Sequence, residues 1–538
     1  MKRNWMMMLA IGLFAVTAGQ APGRTRVAEG NRLGILHLGN GTEPESLDPH
    51  LTTGVPEFNI ISALLEGLIR EDMETLEPRP GVAERWEISE DGLVYTFHFR
   101  ENAHWSNGDP VTAGDFVFSF RRMLSPVLGA EYAYMLHVIR NAVAYHAGRL
   151  EDPAELGVRA VDDRTLVITL EKPAPHFLRM LNHHSFYPVH PPTVERHGGK
   201  TNRNNRWARP ENYVSNGPFT LAEWAINQHI RVDKSPTYWN AEQVRLNSIF
   251  FYPIEDQQTE ERMFRTGLLH KTDGVPLARV ERYRRENNPA FVSHPYLATY
   301  YFLINTQRPP FDDVRVRQAL SISLNRSLIT ERVLRAGEQP ALWFTPPGTG
   351  GFTPSRRLEE DIPRARALLA EAGFPNGEGF PRFQLLYNTR ESHRLIAQVV
   401  QQMWRENLNI EVELVNQEWQ VYMVSRREMR FDIARAGWAG DYADPHNFLD
   451  LHLSTSGNNH TGWSSEAYDA LIHRAAGLQD TAARFALYDE AESILLDEMP
   501  LIPLYWYTRT YLLHPSVRGL VPNLLARRDY TLIWLEAE

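Results

Sequence analysis

The chain has 538 residues, of which 43% are hydrophobic, 23% are charged and 11% are aromatic. This composition is typical of a globular protein and excludes a disordered, collagen-like or coiled-coil chain. There are 56 basic and 66 acidic residues, a formal net charge of −10, and the longest basic clusters are pairs such as Arg426-Arg427. Because nucleic-acid binding needs a basic stripe that releases counterions, no nucleic-acid partner is expected. The length predicts three or four domains, or two large lobes.

Residues 1–18 are typical of a cleaved secretory signal peptide. Lys2 and Arg3 precede an apolar run over 5–16, and Val16-Thr17-Ala18 forms an acceptable cleavage site. An N-terminal membrane anchor is the alternative, although the run is short for a ~30 Å hydrocarbon core. The chain contains no cysteine, which excludes disulfides, thiolate metal sites and a cysteine-linked lipid anchor. We therefore expect a free periplasmic protein.

Hydrophobic periodicity predicts alternating helices and strands in the first half of the chain. After an irregular start over 21–31, the pattern predicts strands over 34–38, 93–99, 163–170 and 248–252 and a helix over 57–68. Glycine and proline are spread evenly, with no long linker or repeat, so the lobes are expected to be interleaved.

The second half continues the same alternation. A helix is predicted over 363–372, where Gly373 ends it, and another over 393–406, whose apolar residues recur at helical spacing. A strand over 410–415 and the start of a further strand at 431 follow. The whole pattern predicts a mixed α/β fold.

Motifs of enzymes and cofactor sites are missing from the sequence. It holds no Gly-x-Ser-x-Gly elbow and no His-Glu-x-x-His motif, and a catalytic cysteine is impossible. Six of the 20 histidines were candidate metal ligands, but none has ligand spacing, and they are interpreted as surface or structural residues. No metal, cofactor or catalytic residue is predicted. These six are His183, His184, His190, His446, His452 and His460.

The most informative stretch is 431–445, where opposite charges interrupt a segment suited to burial. Arg435 lies among apolar and small residues, and Asp441 follows six positions later. Buried charges need partners, and Gly437 and Gly440 allow another backbone to approach closely. A zwitterionic peptide would supply a carboxylate, an ammonium group and a backbone together. Pairing of both charges with protein groups is the open alternative.

Several ordered blocks resemble one family across nearly the whole chain. The sequence is similar to the oligopeptide-binding proteins of bacterial ABC importers, the family 5 extracellular solute-binding proteins. The blocks that carry this resemblance are 46–50, 66–68, 80–86, 105–116, 312–320, 386–389 and 416–419.

The resemblance implies an α/β, two-lobed periplasmic-binding-protein fold of type II (Venus-flytrap) with an extra inserted domain. Lobe I is expected to be discontinuous, and the chain should cross between the lobes near 296–302 and near 503–508. The expected ranges are 30–65, 190–292 and 509–538 for lobe I, 66–189 for the inserted domain and 293–508 for lobe II.

The resemblance also implies a peptide site. Asp441 matches the aspartate that binds the peptide ammonium group, Arg435 an arginine for its carboxylate, and Arg426 and His393 further positive groups for longer peptides. The other expected binding residues are Gly437, Trp438, Ala439, Tyr132, Tyr507 and Val55. Ala298 and Ala439 occupy two positions that often hold a disulfide in the family, and the segment 267–276 departs from the usual pattern.

The function that follows is capture of short peptides by a monomer in the periplasm and delivery to an inner-membrane permease. A family member with a changed ligand, such as a cell-wall peptide, haem or a metal chelate, is the nearest alternative. A secreted peptidase is a remote one, since no constellation of residues supplies a nucleophile or a metal-bound water.

Overall fold

The computed structural model describes residues 25–150, 152–204 and 206–537, so the predicted signal peptide lies outside the described residues. The helices are α1 Arg26–Leu33, α2 Val55–Leu64, α3 Ala113–Met123, α4 Ala142–His146, α5 Phe177–Met180, α6 Pro191–Arg196, α7 Gln257–Arg265, α8 Leu277–Arg285, α9 Val314–Ile322, α10 Arg326–Leu328, α11 Ile362–Glu371, α12 Glu391–Leu408, α13 Trp419–Arg427, α14 His446–Leu449, α15 Glu466–Ala476 and α16 Thr481–Glu498. Short 3₁₀ helices include Glu131–Val138, His184–Phe186 and Asp450–His452, and Ile329–Leu334 is a π-helix.

Strands form three larger sheets and two short pairs. The strands are β1 Ile35–Gly39, β2 Ile69–Glu71, β3 Pro78–Pro80, β4 Ala83–Ile88, β5 Val94–Phe99, β6 Val158–Asp162, β7 Thr165–Thr169, β8 Phe219–Ala225, β9 His229–Lys234, β10 Ser248–Tyr252, β11 Phe291–Ile304, β12 Gln339–Pro340, β13 Phe383–Asn388, β14 Val412–Gln417, β15 Ile433–Ala439, β16 Leu501–Leu512, β17 Val517–Arg518 and β18 Trp534–Leu535.

The first two sheets lie in the N-terminal half of the chain. One has the order β1-β10-β9-β8, and the other has the order β4-β5-β7-β6. A continuous hydrophobic cluster joins them, and a buried ion pair connects α3 to the loop after β1. In this pair Arg122 donates to Asp48 at 2.9 Å, and Trp207 donates to the same carboxylate. These two sheets fall within the ranges expected for lobe I and for the inserted domain.

The third sheet has the order β12-β16-β11-β15-β13-β14 and carries a hydrophobic core on each face. Tyr300 and Phe302 of β11 face α9 and α12 on one side, while Tyr301 and Leu303 pack on the other side against α15 and α16. Successive residues of a strand point to opposite faces of the sheet. Since both faces of β11 are buried, successive residues of this strand must be apolar, and its sequence meets this requirement. Apart from the outer ends of β11 and β16, the sheet falls within the range expected for lobe II.

Two long antiparallel strands, β11 and β16, leave this sheet together. Their outer halves pair from Phe291↔Leu512 to Pro295↔Thr508, and the register then shifts before Thr299↔Trp506. Bridges from Lys271 to Leu38 and Leu513 connect the outer end to the first sheet. The register shift lies where the sequence predicted the crossing between lobes. The exact domain boundaries stay a prediction.

Two predicted elements were wrong in extent. The helix over 57–68 runs instead over Val55–Leu64, because Asn216 captures both backbone groups of Glu66, accepting at 3.0 Å and donating at 2.8 Å. The irregular start contains α1, which Thr25 caps and Gly34 ends at a φ of +67°. A long-range amide contact and a local cap therefore decide these two ends.

The pairing of β11 with β15 generates a prediction. Ala298 and Ala439 are direct cross-strand partners, and such pairs have Cα atoms about 4.5–5.5 Å apart, within the range of a disulfide. The double variant Ala298→Cys/Ala439→Cys should oxidise to an intramolecular disulfide, seen as loss of two thiols in a thiol titration. Since the chain has no other cysteine, the assay has no background.

Ala298→Cys combined with Ala436→Cys is the matched control. Ala436 pairs with Tyr301, so the two sulfurs would lie on opposite faces and about 10 Å apart along the strands. This control should keep two free thiols. Equal oxidation of both double variants would contradict the strand register.

Candidate functional site

Asp441 lies just after β15 with one carboxylate oxygen satisfied and the other not. Its Oδ1 accepts a hydrogen bond from the Tyr132 hydroxyl at 3.4 Å and lies 3.5 Å from His183 Nε2. The Oδ2 atom is buried and has no partner in the described part of the chain. The residue is 9% exposed. The free oxygen is therefore placed to receive a donor from a bound molecule.

The backbone around Asp441 is held on both sides. Its N–H donates to Asn447 Oδ1 at 2.8 Å, and the same oxygen accepts the indole N–H of Trp438 at 3.3 Å. Its carbonyl accepts from Arg527 Nη2 at 2.7 Å. These contacts position the carboxylate without using Oδ2.

His183 contacts Asp441 as a neutral ring. Burial, the neighbouring His184 and the charge of Arg527 hold the pKa of His183 well below its usual value. The backbone N–H of Ser185 donates to Nδ1 at 3.3 Å, so the neutral ring carries its proton on Nε2, facing Asp441. Burial raises the pKa of the Asp441 carboxyl to about 6, against the charge of Arg527. The carboxylate is consequently ionised at neutral pH but unneutralised.

Arg435 provides the opposite charge on β15. Its Nη2 donates to the Tyr507 hydroxyl at 2.6 Å and its Nη1 approaches Asn388 Oδ1 at 3.4 Å. The guanidinium lies 4.9 Å from the centre of the Tyr300 ring. Nε is buried without a partner, and no carboxylate lies within 4.0 Å of this arginine among the described residues. Arg435 is thus a partly buried cation whose charge no described carboxylate neutralises.

Gly437 and Ala439 keep the strand open beside Arg435. A Cβ at Gly437 would lie 3.0 Å from Arg435 Nη2 and 3.1 Å from the Tyr507 hydroxyl, so glycine leaves space for the arginine–tyrosine pair. Because alternate strand residues share a face, Gly437 and Ala439 continue the face of Arg435. This face of the strand therefore presents main-chain atoms and few side-chain atoms.

His393 lies beside Arg435 in a buried place. It is 4% exposed, its Nδ1 lies 3.3 Å from the Asn388 carbonyl, and its ring is 5.7 Å from that of Tyr300. Burial, together with the charges of Arg435 and Arg390, holds its pKa well below its usual value. These surroundings disfavour the charged imidazole, and the binding role of His393 stays a prediction.

Arg426 and Val55 are not brought into contact with this cluster. Arg426, on α13, acts electrostatically on Tyr301 and lowers its pKa against the larger effect of burial. Tyr301 and Phe302 are neighbours on β11 and face opposite sides of the sheet, and Phe302 is the strand partner of Arg435. The Nε atom of Arg426 is buried without a partner among the described residues. Val55 begins α2 and is 45% exposed. The binding roles of both residues remain predictions.

The inserted domain meets lobe II through a second buried group. His176 is stacked on Tyr442 at 5.5 Å, and its Nδ1 lies 3.3 Å from Arg484 Nη2. Arg484 in turn donates to Asp444 Oδ2 at 2.8 Å. Burial lowers the pKa of His176 to about 4. Together with the contacts of Tyr132 and His183 to lobe II, this group closes the cleft over Asp441.

The histidines considered as metal ligands have other partners or surroundings. His183 and His184 lie at a 3₁₀ turn, with rings 4.2 Å apart, and His452 is buried. Within the ranges that the structure describes, no group of three or more potential ligands could hold a metal ion. In the same ranges, none of the helices has the length and apolar character needed to cross a membrane.

Three site residues were missed by sequence reasoning: His183, Asn447 and Arg527. They reach Asp441 from the inserted domain, from α14 and from the C-terminal segment. The only sequence signal was the His183-His184 pair, which was examined for metal binding. Arg527 and Asn447 carry no local pattern, because their importance depends on contacts across the fold.

The family model for bacterial extracellular solute-binding proteins, family 5 Middle, matches residues 77–460. The chain is 39% identical to the periplasmic oligopeptide-binding protein OppA of Salmonella typhimurium over 522 residues, which cover 95% of this chain and 93% of that protein. The chain belongs to the family 5 extracellular solute-binding proteins. The resemblance found in the sequence is confirmed.

Solved structures confirm the two-lobed α/β fold. The murein tripeptide-binding protein MppA of Escherichia coli aligns with a TM-score of 0.86 at 36% identity, covering 93% of this chain and 98% of that one. Haemophilus influenzae OppA in complex with the peptide RPPGFSPFR aligns at 0.84 and 36% identity, covering 93% and 99%. MppA in an unliganded open form aligns at only 0.73. The lobe arrangement here therefore differs from that open form.

His176 generates a prediction about acid stability. Its folded pKa of about 4 lies below its unperturbed value of about 6.5. Between these values the unfolded chain binds the proton and the folded chain does not, so the free energy of unfolding falls as the pH drops. The 2.5-unit difference corresponds to about 3 kcal/mol.

The variant His176→Gln should lose this part of the pH dependence, measured by urea unfolding at pH 7 and pH 4. His473→Gln, on the exposed side of α15, should retain it. The same acid-induced loss in His176→Gln as in the wild type would contradict the buried neutral histidine.

Proposed function

We propose that the protein is a periplasmic receptor that captures short peptides and delivers them to an ABC transporter permease. The observation that carries the proposal is a pair of unsatisfied charged groups on β15 and just after it. In the described part of the chain, Asp441 Oδ2 has no donor and Arg435 Nε has no acceptor. A peptide ammonium group and a peptide carboxylate complement these two atoms. The OppA relatives, which are named as peptide-binding proteins, support this assignment.

The spacing of the two charges fits a short extended peptide. Arg435 and Asp441 are six positions apart in the chain, so their Cα atoms are at most ~20 Å apart. An extended peptide rises ~3.3 Å per residue, and the flexible arginine side chain can reach toward a shorter ligand. Peptides of about three to six residues therefore satisfy both groups.

The face between the charges favours recognition of the peptide main chain. Gly437 and Ala439 present backbone groups there, and backbone hydrogen bonds are common to all peptides. The family model that matches the chain is one of extracellular solute-binding proteins. We therefore infer a receptor that binds its ligand without transforming it. Cleavage of the proposed signal peptide would release it as a free protein, and we expect it to act as a monomer.

Native mass spectrometry of the purified protein tests the ligand class directly. A co-purified mass that matches peptides supports the proposal. A haem or metal-chelate mass would overturn it in favour of a changed ligand. Release of fragments from an added peptide mixture would instead indicate a peptidase.

The first binding prediction concerns Asp441→Asn. The substitution keeps the shape but removes the charge that holds a desolvated ammonium group, and leaving one partner of a buried ion pair unpaired costs ~3–5 kcal/mol. Calorimetry with a free tetrapeptide should show a loss of at least 100-fold in affinity, corresponding to about 2.7 kcal/mol or more.

An N-acetylated peptide should bind the wild type weakly for the same reason. Asp72→Asn, on an exposed turn paired with Arg79, is the control and should bind the free peptide normally. Equal titration curves for free and acetylated peptides would contradict the ammonium site.

A second prediction follows from the raised pKa of Asp441, about 6 in the ligand-free cleft. The peptide amine has an ordinary pKa of about 8 and stays charged below that value. Above about pH 6 the carboxylate is ready to bind the ammonium group, whereas below it one proton must be released first. Affinity should therefore fall up to about tenfold per pH unit below about pH 6.

Isothermal titrations from pH 7.5 to pH 4.5 measure this dependence. Asp441→Asn, which cannot titrate there, should show a flat profile for its residual binding. An equally steep fall of affinity with pH in Asp441→Asn would mean that a group other than Asp441 takes up the proton.

A further inference from the structure

Asp273 lies where several positive side chains converge. It accepts from Arg509 Nη2 at 3.1 Å. Burial raises the pKa of Asp273, but the charges of Arg509, Lys271, Arg528 and Arg390 outweigh this effect and hold it below its usual value. Arg509 is thus the ion-pair partner of Asp273, and the other three basic residues act on it electrostatically. We call Lys271, Asp273, Arg509 and Arg528 the hinge cluster, since they surround the outer end of β11 and β16.

Lys271 and Arg528 of the hinge cluster have no acidic partner within ion-pair distance among the described residues, and burial holds the pKa of Lys271 well below its usual value. Lys271 is 2% exposed, and its Nζ donates to the Thr272 carbonyl at 2.9 Å and lies 4.2 Å from the centre of the Tyr511 ring. Arg528 has a buried Nη1 without any partner. Neither residue has a carboxylate within 4.0 Å among the described residues.

The other nearby acid does not neutralise this charge. Glu260 Oε1 accepts from the backbone N–H of Asp273 at 2.7 Å. Burial and the adjacent Asp273 charge raise the pKa of Glu260 to about 8, so most of it is neutral at pH 7. Even with Lys271 uncharged, Arg509 and Arg528 against the single charge of Asp273 leave the hinge cluster with a net positive charge. It lies in a partly desolvated place, where an unpaired charge is costly.

The hinge cluster adjoins the proposed peptide site. Tyr507, Arg509 and Tyr511 alternate along β16 and share a face, so Arg509 follows the Arg435–Tyr507 pair by ~6.7 Å along the strand. The Arg509 guanidinium lies 5.5 Å from the Tyr296 ring. Asp441 also acts electrostatically on the Tyr296 hydroxyl. Tyr296 thus connects the hinge cluster with the ammonium site.

We propose that the hinge cluster binds a second carboxylate of the ligand, so that the receptor prefers peptides with an acidic side chain. This inference rests on the proposed function. A neutral peptide brings one carboxylate, which Arg435 can bind, and leaves Lys271 and Arg528 without an anion. An acidic side chain supplies the missing charge, and hydrogen bonds to charged groups that are shielded from water are the strongest ones available to a ligand.

The experiment uses the full mature protein and alanine-based tetrapeptides with one glutamate or one glutamine at each position in turn. Calorimetry gives the ratio of the two affinities at each position. We expect glutamate to bind about tenfold or more tightly than glutamine at one position at least. Glutamine is the matched neutral side chain, so the ratio isolates the charge.

Lys271→Met and Arg528→Gln should each reduce this ratio to about two or less. If Lys271→Met fails to fold, Arg528→Gln still decides the test. Arg382→Gln, an exposed arginine near Glu413 on the far edge of lobe II, is the control and should keep the wild-type ratio. A ratio near one at every position, with normal binding of the glutamine peptides, would overturn this inference alone. Absence of binding by every tetrapeptide would overturn the proposed function and this inference with it.

Discussion

Two charges of opposite sign, Arg435 on β15 and Asp441 just after it, do not form an ion pair with each other. They are six positions apart, and each keeps a buried polar atom without a partner among the described residues. A buried unsatisfied group costs ~1–3 kcal/mol, and more when it is charged. Neighbouring residues hold both groups in this unfavourable position. Asn447 and Arg527 bind the backbone of the aspartate, while Tyr507 binds the guanidinium group of the arginine. Such an arrangement is understandable where a ligand supplies the missing charges.

The cleft is assembled from separate parts of the chain. Lobe II provides both charges, the inserted domain provides Tyr132 and His183, and the C-terminal segment provides Arg527. Separation of the lobes would leave Asp441 on a single wall, where water can solvate it. Closure would therefore change the environment of the carboxylate as well as access to it.

The sequence predicted the elements whose signals are local and missed those that depend on distant contacts. Strand β10 was predicted with its exact bounds because it is a short apolar run, and Arg435 and Asp441 were recognisable as charges within a segment suited to burial. The helix over 57–68 was predicted too long because Leu65 and Leu68 continue its apolar pattern, whereas Asn216 captures Glu66 from 150 residues away. Arg527 and His183 were invisible for the same reason. The state of His393 required its burial, which sequence alone does not give.

The empty closed cleft is the state in which the unpaired charges cost most. In an open receptor these groups are hydrated. Closure without ligand removes the water from Asp441 Oδ2 and Arg435 Nε and provides no hydrogen-bond partner in its place. A ligand with both termini removes this penalty only when the lobes close, and it shifts the equilibrium by its difference in affinity for the two states. The measured binding free energy is then the free energy of the contacts in the closed state minus the free energy needed to close the empty lobes. A peptide that lacks one terminus loses that contact and also leaves the closed state with an unpaired charge, so discrimination between complete and blocked peptides exceeds the value of a single hydrogen bond.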